Sequence, residues 1–182
     1  ETRVNTVGMT IAELCEATIT LSDNTAGNLI LESIGGPKAL TDYMRSIGDE
    51  TTRLDRWETD LNEGKPGDRR DTTTPRAATT SLGHLLLGPT LSESSREQLT
   101  TWMENDKVAD ALLRSVLPVG WRIADKTGAG GHGARSIIAT IWPPAESPIL
   151  ISIYMAESDA SFAERNEAIA EIGAAIVTAV SN

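Results

Sequence analysis

Near Leu117 the hydrophobic pattern of this 182-residue chain changes period, and that change confines it to an architecture of helices plus an antiparallel sheet. Upstream, apolar residues recur at helical spacing between cap and breaker residues. Thr10 and Glu13 form a capping box, after which Ile11, Leu14, Cys15 and Thr18 share one face, predicting a helix to about Leu21. A second helix carries Leu29, Ile30 and Ile34 and stops at Gly35-Gly36; Pro37 opens a third, closed by Gly48. Thr74-Pro75 starts a fourth that runs through Leu87, Ser92 caps a fifth, and residues 108–113 read as a shorter helical turn.

Downstream, residues 121–125, 136–142 and 149–155 are short β-prone runs separated by Gly-rich and Pro-rich breaks, the pattern of an antiparallel meander. Ser161 and Glu164 make a second capping box, and Ile169, Ile172, Ile176 and Val180 predict a terminal amphipathic helix covering one face of the sheet. The expected organisation is a helical domain over residues 1–118 and, over 119–182, part of an α/β (α+β) domain of three strands and a final helix. Between Arg53 and Asp71 the sequence is charged, broken by Gly64, Pro66 and Gly67, and without period, so it reads as a long ordered surface loop.

Composition removes several function classes. With 40% apolar residues the chain can bury a core, and with 4% aromatics that core must be built from Leu, Ile, Val and Ala. A net charge of −10 argues against nucleic acid, because no basic stripe can displace counterions from phosphates. No run approaches the roughly 20 apolar residues that span a bilayer, and Glu1-Thr2-Arg3-Val4 has no signal-peptide pattern, as would also be true of a mature exported protein. His84 and His132 are too far apart in sequence and context to suggest zinc, so neither a metal nor another cofactor is expected. The four tryptophans read as packing or loop anchors. Cys15 stands alone, so it is a cytosolic thiol, a buried free thiol, or one half of a bridge to something outside these residues.

Three short elements can carry chemistry. Ser22-Asp23-Asn24 lies between two helices, where Ser22 and Asn24 can point into a cleft while Asp23 secures the turn; an ordinary turn looks the same. Lys126-Thr127-Gly128 lies at the end of the first strand and runs into Ala129-Gly130-Gly131-His132-Gly133, whose small residues would let a substrate approach the backbone; a plain Gly-rich hairpin is the alternative. Glu58 and Asn62, four residues apart in the long loop, pair an acid with an amide and could orient a water. The same residues also fit a solvated loop in which Arg56 and Asp71 pair weakly across the neck.

In their order and type these elements resemble class A serine β-lactamases, whose motifs include Ser-Asp-Asn and Lys-Thr-Gly. The resemblance extends over residues 22–28, 35–38, 53–58, 60–65, 71–75, 112–118, 128–136 and 164–173, and the loop at 53–71 corresponds to that family's omega loop. Gly133-Ala134-Arg135-Ser136 and Asn62-Glu63-Gly64-Lys65 look most like the carbenicillin-hydrolysing branch, although Lys126 stands where that branch often has arginine. The family's Ser-x-x-Lys nucleophile motif occurs nowhere in the chain, so the resemblance covers the last two thirds of a family domain, without the N-terminal helix and strands.

That resemblance implies a β-lactam as the small-molecule partner and Glu58, Ser22 and Lys126 as catalytic residues. It implies substrate binding by Asn24, Asn62, Thr127, Gly128, Ala129 and Arg135, with Arg56 and Asp71 structural. Cys15 matches the family position that bridges to a cysteine after the nucleophile, which implies a periplasmic or secreted protein. It further implies that the chain partners the N-terminal part of the same protein and is a monomer when complete. Alone it is expected to be inactive and poorly stable, with an unprotected sheet edge. The competing expectations are a penicillin-binding protein acylated without turnover and a non-catalytic fragment of a split protein.

Overall fold

Two capping boxes fix where the chain becomes helical near its two ends. The Glu13 amide donates to Thr10 Oγ1 at 3.3 Å and the Thr10 amide donates to the Glu13 carboxylate at 2.8 Å. Ser161 and Glu164 repeat the pattern at 3.3 and 2.7 Å. The computed structural model describes residues 8–181, so the sequence reading at Glu1-Thr2-Arg3-Val4 lies outside the described residues.

The helices are α1 (Ile11–Leu21), α2 (Asn24–Ile34), α3 (Pro37–Ser46), α4 (Pro75–Leu86), α5 (Glu93–Glu104) and α6 (Phe162–Val180). The strands β1 (Arg122–Ala129), β2 (Arg135–Trp142) and β3 (Ile149–Met155) form an antiparallel meander in the order β1-β2-β3. Lys126 pairs with Ile138 and Ala129 with Arg135 across the first hairpin, and Arg135 pairs with Met155 across the second. Among the described residues β1 and β3 are the edge strands, and no helix is long and apolar enough to cross a membrane.

Strand alternation divides the core into two layers. Ile123, Ile137, Ala139, Ile141 and Ile151 pack with Leu112, Leu113 and Ile169 on the α6 side. Ala124 packs with Leu82 and Leu86 of α4 and Met103 of α5 on the other side, flanked by Ile138, Trp142 and Leu150. Each fully buried Leu, Ile or Met contributes about 1.5–3 kcal/mol, more than the roughly 0–1 kcal/mol of a typical surface ion pair, so the two apolar layers dominate the fold.

Three expectations need correction. The helical turn falls at Leu113–Val116, not at 108–113. The preceding amides are taken by other partners: Lys107 N–H donates to the Thr20 carbonyl at 3.0 Å and Val108 N–H to Asp106 Oδ1 at 2.8 Å. The first strand extends to Ala129, so Lys126-Thr127-Gly128 lies inside it, held by pairing with β2. The apolar stripe of α6 is narrower than its sequence suggests, with Ile169 fully buried but Ile172 and Val180 exposed. Gly173 sets that orientation: a Cβ there would lie 2.7 Å from Leu113 Cδ2, so α6 rests on the Leu113–Val116 turn through Ile169, Gly173 and Ile176.

Asp125 is the charged group most deeply placed in this core. It is wholly buried, with Oδ1 accepting from Arg114 Nε at 2.8 Å, while Oδ2 has no hydrogen-bond partner. Arg114 also donates to the carbonyls of Met103 and Glu104, tying the end of α5 to β1. Desolvation outweighs the attraction of Arg114 and pushes the Asp125 carboxyl up to about 6. A proton is therefore held more tightly in the folded than in the unfolded protein. The stability linked to Asp125 is fully present below the ordinary carboxylate value of about 3.9 and is lost as pH rises towards about 6. Urea midpoints measured from pH 4 to 7 should show the parent losing stability relative to Asp125→Asn across that window; parallel curves would refute the assignment.

Candidate active site

The Ser22-Asp23-Asn24 turn is made by two helix ends meeting. Ser22 caps the C-terminus of α1 in the left-handed region (φ 53°), and Asp23 caps α2 by accepting the Ala26 amide at 2.9 Å. Left-handed backbone at a non-glycine residue is costly, and here it turns the Ser22 hydroxyl towards β1. Lys126 Nζ donates to Ser22 Oγ and, at 3.0 Å, to the Thr127 carbonyl. Burial lowers the pKa of Lys126, opposed by the negative charges of Asp106 and Asp125.

Glu58 is held by its backbone as well as its side chain. Its N–H donates to Asn28 Oδ1 and its carbonyl accepts from Asn28 Nδ2, both at 2.9 Å, so α2 grips the loop at this residue. The Asn62 amide donates to the Glu58 carboxylate at 2.5 Å, from a 3-10 turn at Asp60–Asn62. Burial raises the pKa of Glu58, and the Asn62 hydrogen bond offsets part of that rise. Asn28 was not singled out from sequence, although an asparagine in mid-helix, where it is a poor helix former, is a signal that its side chain has other work.

The long loop is folded on itself and docked on the sheet. Asp71 accepts the amides of Asp55 and Arg56 at 2.7 and 2.9 Å, and its second oxygen pairs with Arg56 Nε at 2.6 Å. Its side chain is 3% exposed, so the expected weak surface pair is instead a buried anchor. Arg56 also pairs with Glu63 at 2.6 Å. At the other end the Gly131 amide donates to the Asn62 carbonyl at 2.8 Å. A Cβ on Gly130 would stand 2.6 Å from that carbonyl. Part of the glycine run thus makes room for the loop backbone, a use the sequence reading did not include, while Gly128 and Ala129 line the cleft.

All nine residues expected to act on or bind substrate line one cleft of about 430 Å³: Ser22, Asn24, Glu58, Asn62, Lys126, Thr127, Gly128, Ala129 and Arg135. They come from the α1–α2 turn, the long loop, β1 and β2. Asp23, Thr18, Gly27, Val108 and Phe162 complete the wall, of which Val108 and Phe162 were missed because neither carries a polar group. Arg135 is almost fully buried; its Nη1 donates to the Gly128 carbonyl at 3.0 Å and its Nε to Asn166 Oδ1 at 2.8 Å. Burial lowers its pKa, and the charge of Arg165 adds to that.

Three residues singled out for structure lie away from the cleft lining. Arg56 and Asp71 close the loop, and Cys15 is a half-buried free thiol on α1 whose pKa is raised by burial. Trp57 is 41% exposed and lies in the loop against Gly36; Trp121 and Trp142 pack against the two core layers. The arrangement offers a hydroxyl in contact with an ammonium, an acid with an amide, and a second cation beside backbone at a strand end. That set suits proton relay, water activation and the binding of an anionic acyl compound.

Replacing Asp71 with alanine removes three acceptor contacts at the loop neck and leaves an alanine in left-handed backbone (φ 54°). Deuterium uptake over residues 53–71 should rise at least tenfold in rate, while α6 stays protected. Unchanged protection of the loop would show that Asp71 does not anchor it.

Comparison with known proteins agrees in fold and sequence. A family model described as the beta-lactamase enzyme family matches residues 2–180. The chain is 57% identical over 168 residues to beta-lactamase CARB-3 of Pseudomonas aeruginosa, covering 92% of this chain and 58% of that protein. It is 54% identical over 173 residues to beta-lactamase AER-1 of Aeromonas hydrophila, covering 95% and 57%. The chain therefore spans a little under three fifths of the length of these curated relatives. Among solved structures, an ancestral (GNCA) class A beta-lactamase superposes with a TM-score of 0.96 at 56% identity, covering 98% of this chain and 68% of that one. The chromosome-encoded beta-lactamase of Vibrio parahaemolyticus superposes at 0.92 with 52% identity, covering 94% and 65%.

Proposed function

We propose, from the premise that this chain belongs to the class A β-lactamase enzyme family, that it supplies most of the site at which penicillin-type β-lactams are hydrolysed through a serine acyl-enzyme. One observation carries the reading: the nine residues that the chemistry needs converge on a single cleft. The nucleophilic serine, absent as a Ser-x-x-Lys motif from these 182 residues, comes in this reading from the N-terminal part of the same protein.

Lys126, Thr127 and Arg135 would bind the substrate carboxylate as a cation, a hydroxyl and a second cation, and the Asn24 amide would hold the carbonyl of the substrate side chain. In acylation the serine oxygen bonds to the lactam carbonyl carbon and the C–N bond opens. The serine proton passes to Glu58 through a water, or to the partner lysine, and a proton reaches the lactam nitrogen through Ser22. The contact from Lys126 favours that relay, since an ammonium on Ser22 Oγ keeps the hydroxyl proton free to face the leaving nitrogen. The backbone N–H of Ala129 would supply half of the oxyanion hole, and the N–H of the serine the other half.

In deacylation a water held between Glu58 and Asn62 attacks the ester carbon and gives its proton to Glu58. The ester C–O bond breaks and the serine oxygen takes a proton back. A half-buried carboxylate with a raised pKa is the stronger base for this step, and Asn62 keeps it aimed. Cys15 would bridge to a cysteine of the N-terminal part, the protein would act in the periplasm or outside the cell, and the complete protein would be a monomer. Carbenicillin is included among the substrates on the strength of Gly133-Ala134-Arg135-Ser136, and the 182 residues alone would be inactive.

The test is to join the chain to a serine-bearing N-terminal part and follow opening of a chromogenic β-lactam. Glu58→Ala should cut turnover by about 100- to 10,000-fold while mass spectrometry shows an acyl adduct accumulating. In the parent, the acidic limb of the pH–rate profile should lie above the ordinary carboxylate range, because Glu58 must be ionised to act and its pKa is raised. A folded parent that is acylated once and stays acylated would instead be a penicillin-binding protein. A folded parent that neither turns over nor acylates would defeat the enzymatic reading and leave a non-catalytic fragment.

A further inference from the structure

The first turn of α6 sets an aromatic ring against two guanidinium groups at the wall of the cleft. Phe162, Arg165, Asn166 and Ile169 follow the i, i+3, i+4, i+7 spacing, so they share the helix face turned to the sheet, with Ile169 fully buried in the core. The capping box at Ser161 and Glu164 fixes where this face begins. From β2, Arg135 reaches up beneath it. Its guanidinium carbon lies 4.8 Å from the centroid of the Phe162 ring, and that of Arg165 lies 5.9 Å from the same ring.

Arg135 is 4% exposed, and among the described residues no carboxylate lies within ion-pair distance of it. Its in-plane contacts are the Gly128 carbonyl and Asn166 Oδ1. Five N–H donors radiate from a planar guanidinium, so two in-plane acceptors leave the remaining edge for an anion and leave the flat face to be held by something else. The negative face of an aromatic ring does this without competing for the donors. Arg165 shares the ring and repels Arg135, so the ring's negative face answers two like charges at once. Phe162 is half exposed and lines the cleft, a position that apolar burial alone does not explain.

We propose that Phe162 is a positioning residue that holds the Arg135 guanidinium flat, with its free donor edge towards the cleft, for a substrate carboxylate. The inference rests on the β-lactam reading for the identity of the anion, and on geometry alone for the stacking. Loss of a cation–π contact of this kind corresponds to a roughly 2- to 30-fold change in an equilibrium constant.

The experiment uses the full-length protein carrying the serine. Phe162→Leu should raise KM for a penicillin with a free carboxylate within that range and leave kcat nearly unchanged, and Phe162→Tyr should restore the parent value. The effect should vanish for the penicillin methyl ester and in an Arg135→Ala background. In parallel, the side-chain Nε–H order parameter of Arg135, measured by NMR without substrate, should fall in Phe162→Leu and recover in Phe162→Tyr. An unchanged order parameter, or a KM effect equal for acid and ester, would overturn the proposal. A parent without turnover would strike at the β-lactam reading instead, and the NMR measurement would still decide whether Phe162 positions Arg135.

Discussion

The pleat of β1 is the constraint on which the rest of the site depends. Successive residues of a strand point to opposite faces, so Asp125 turns under the sheet to Arg114 while Lys126 turns the other way to Ser22. One strand thus joins the floor of the molecule to the cleft. A one-residue slip of β1 against β2 would bury the ammonium beside Arg114 and carry the carboxylate into the cleft. Pairing from Arg122 with Trp142 through Ala129 with Arg135 resists that slip, and the two apolar layers lock it from both faces.

Desolvation then sets the electrostatics of the cleft. Glu58 is raised, and Lys126 and Arg135 are lowered, each chiefly by burial. Each charged group is therefore less comfortable as an ion than it would be in water, and an anion entering beside the two cations would relieve part of that cost. The hydrogen bonds that remain aim these groups and only partly neutralise them. Asn62 orients Glu58, Ser22 meets Lys126, and Asn166 and the Gly128 carbonyl fix Arg135.

Much of this was legible in the residues, for identifiable reasons. Both capping boxes and the Gly35-Gly36 and Pro37 punctuation are local signals, and the helices begin and end where those signals fall. The run from Ile149 to Met155 is uniformly β-prone and became β3 without change. The far half of β1 was hidden, because Lys126, Thr127 and Gly128 are poor strand formers that only pairing with β2 holds extended. Asp106 displaced the expected turn through a side-chain hydrogen bond that no periodicity records. Of the residues that line the cleft, the polar ones could be named from motif order, but not Phe162 and Val108, which carry no polar group. Asn28 was marked only by its poor fit to mid-helix, and its partner could not be read, since it grips a backbone thirty residues away in sequence.

The hydrogen bond from the Gly131 amide to the Asn62 carbonyl ties the hairpin beside the cleft to the loop that carries Glu58. Selection acting on this protein therefore cannot treat the hairpin and the loop as separate modules. A bulkier residue at 130 or 131 would press on the Asn62 and Glu63 carbonyls and so displace the backbone that positions the Glu58 carboxylate. Adaptive paths through the hairpin should then run in pairs, with a compensating change in the loop arriving alongside the first.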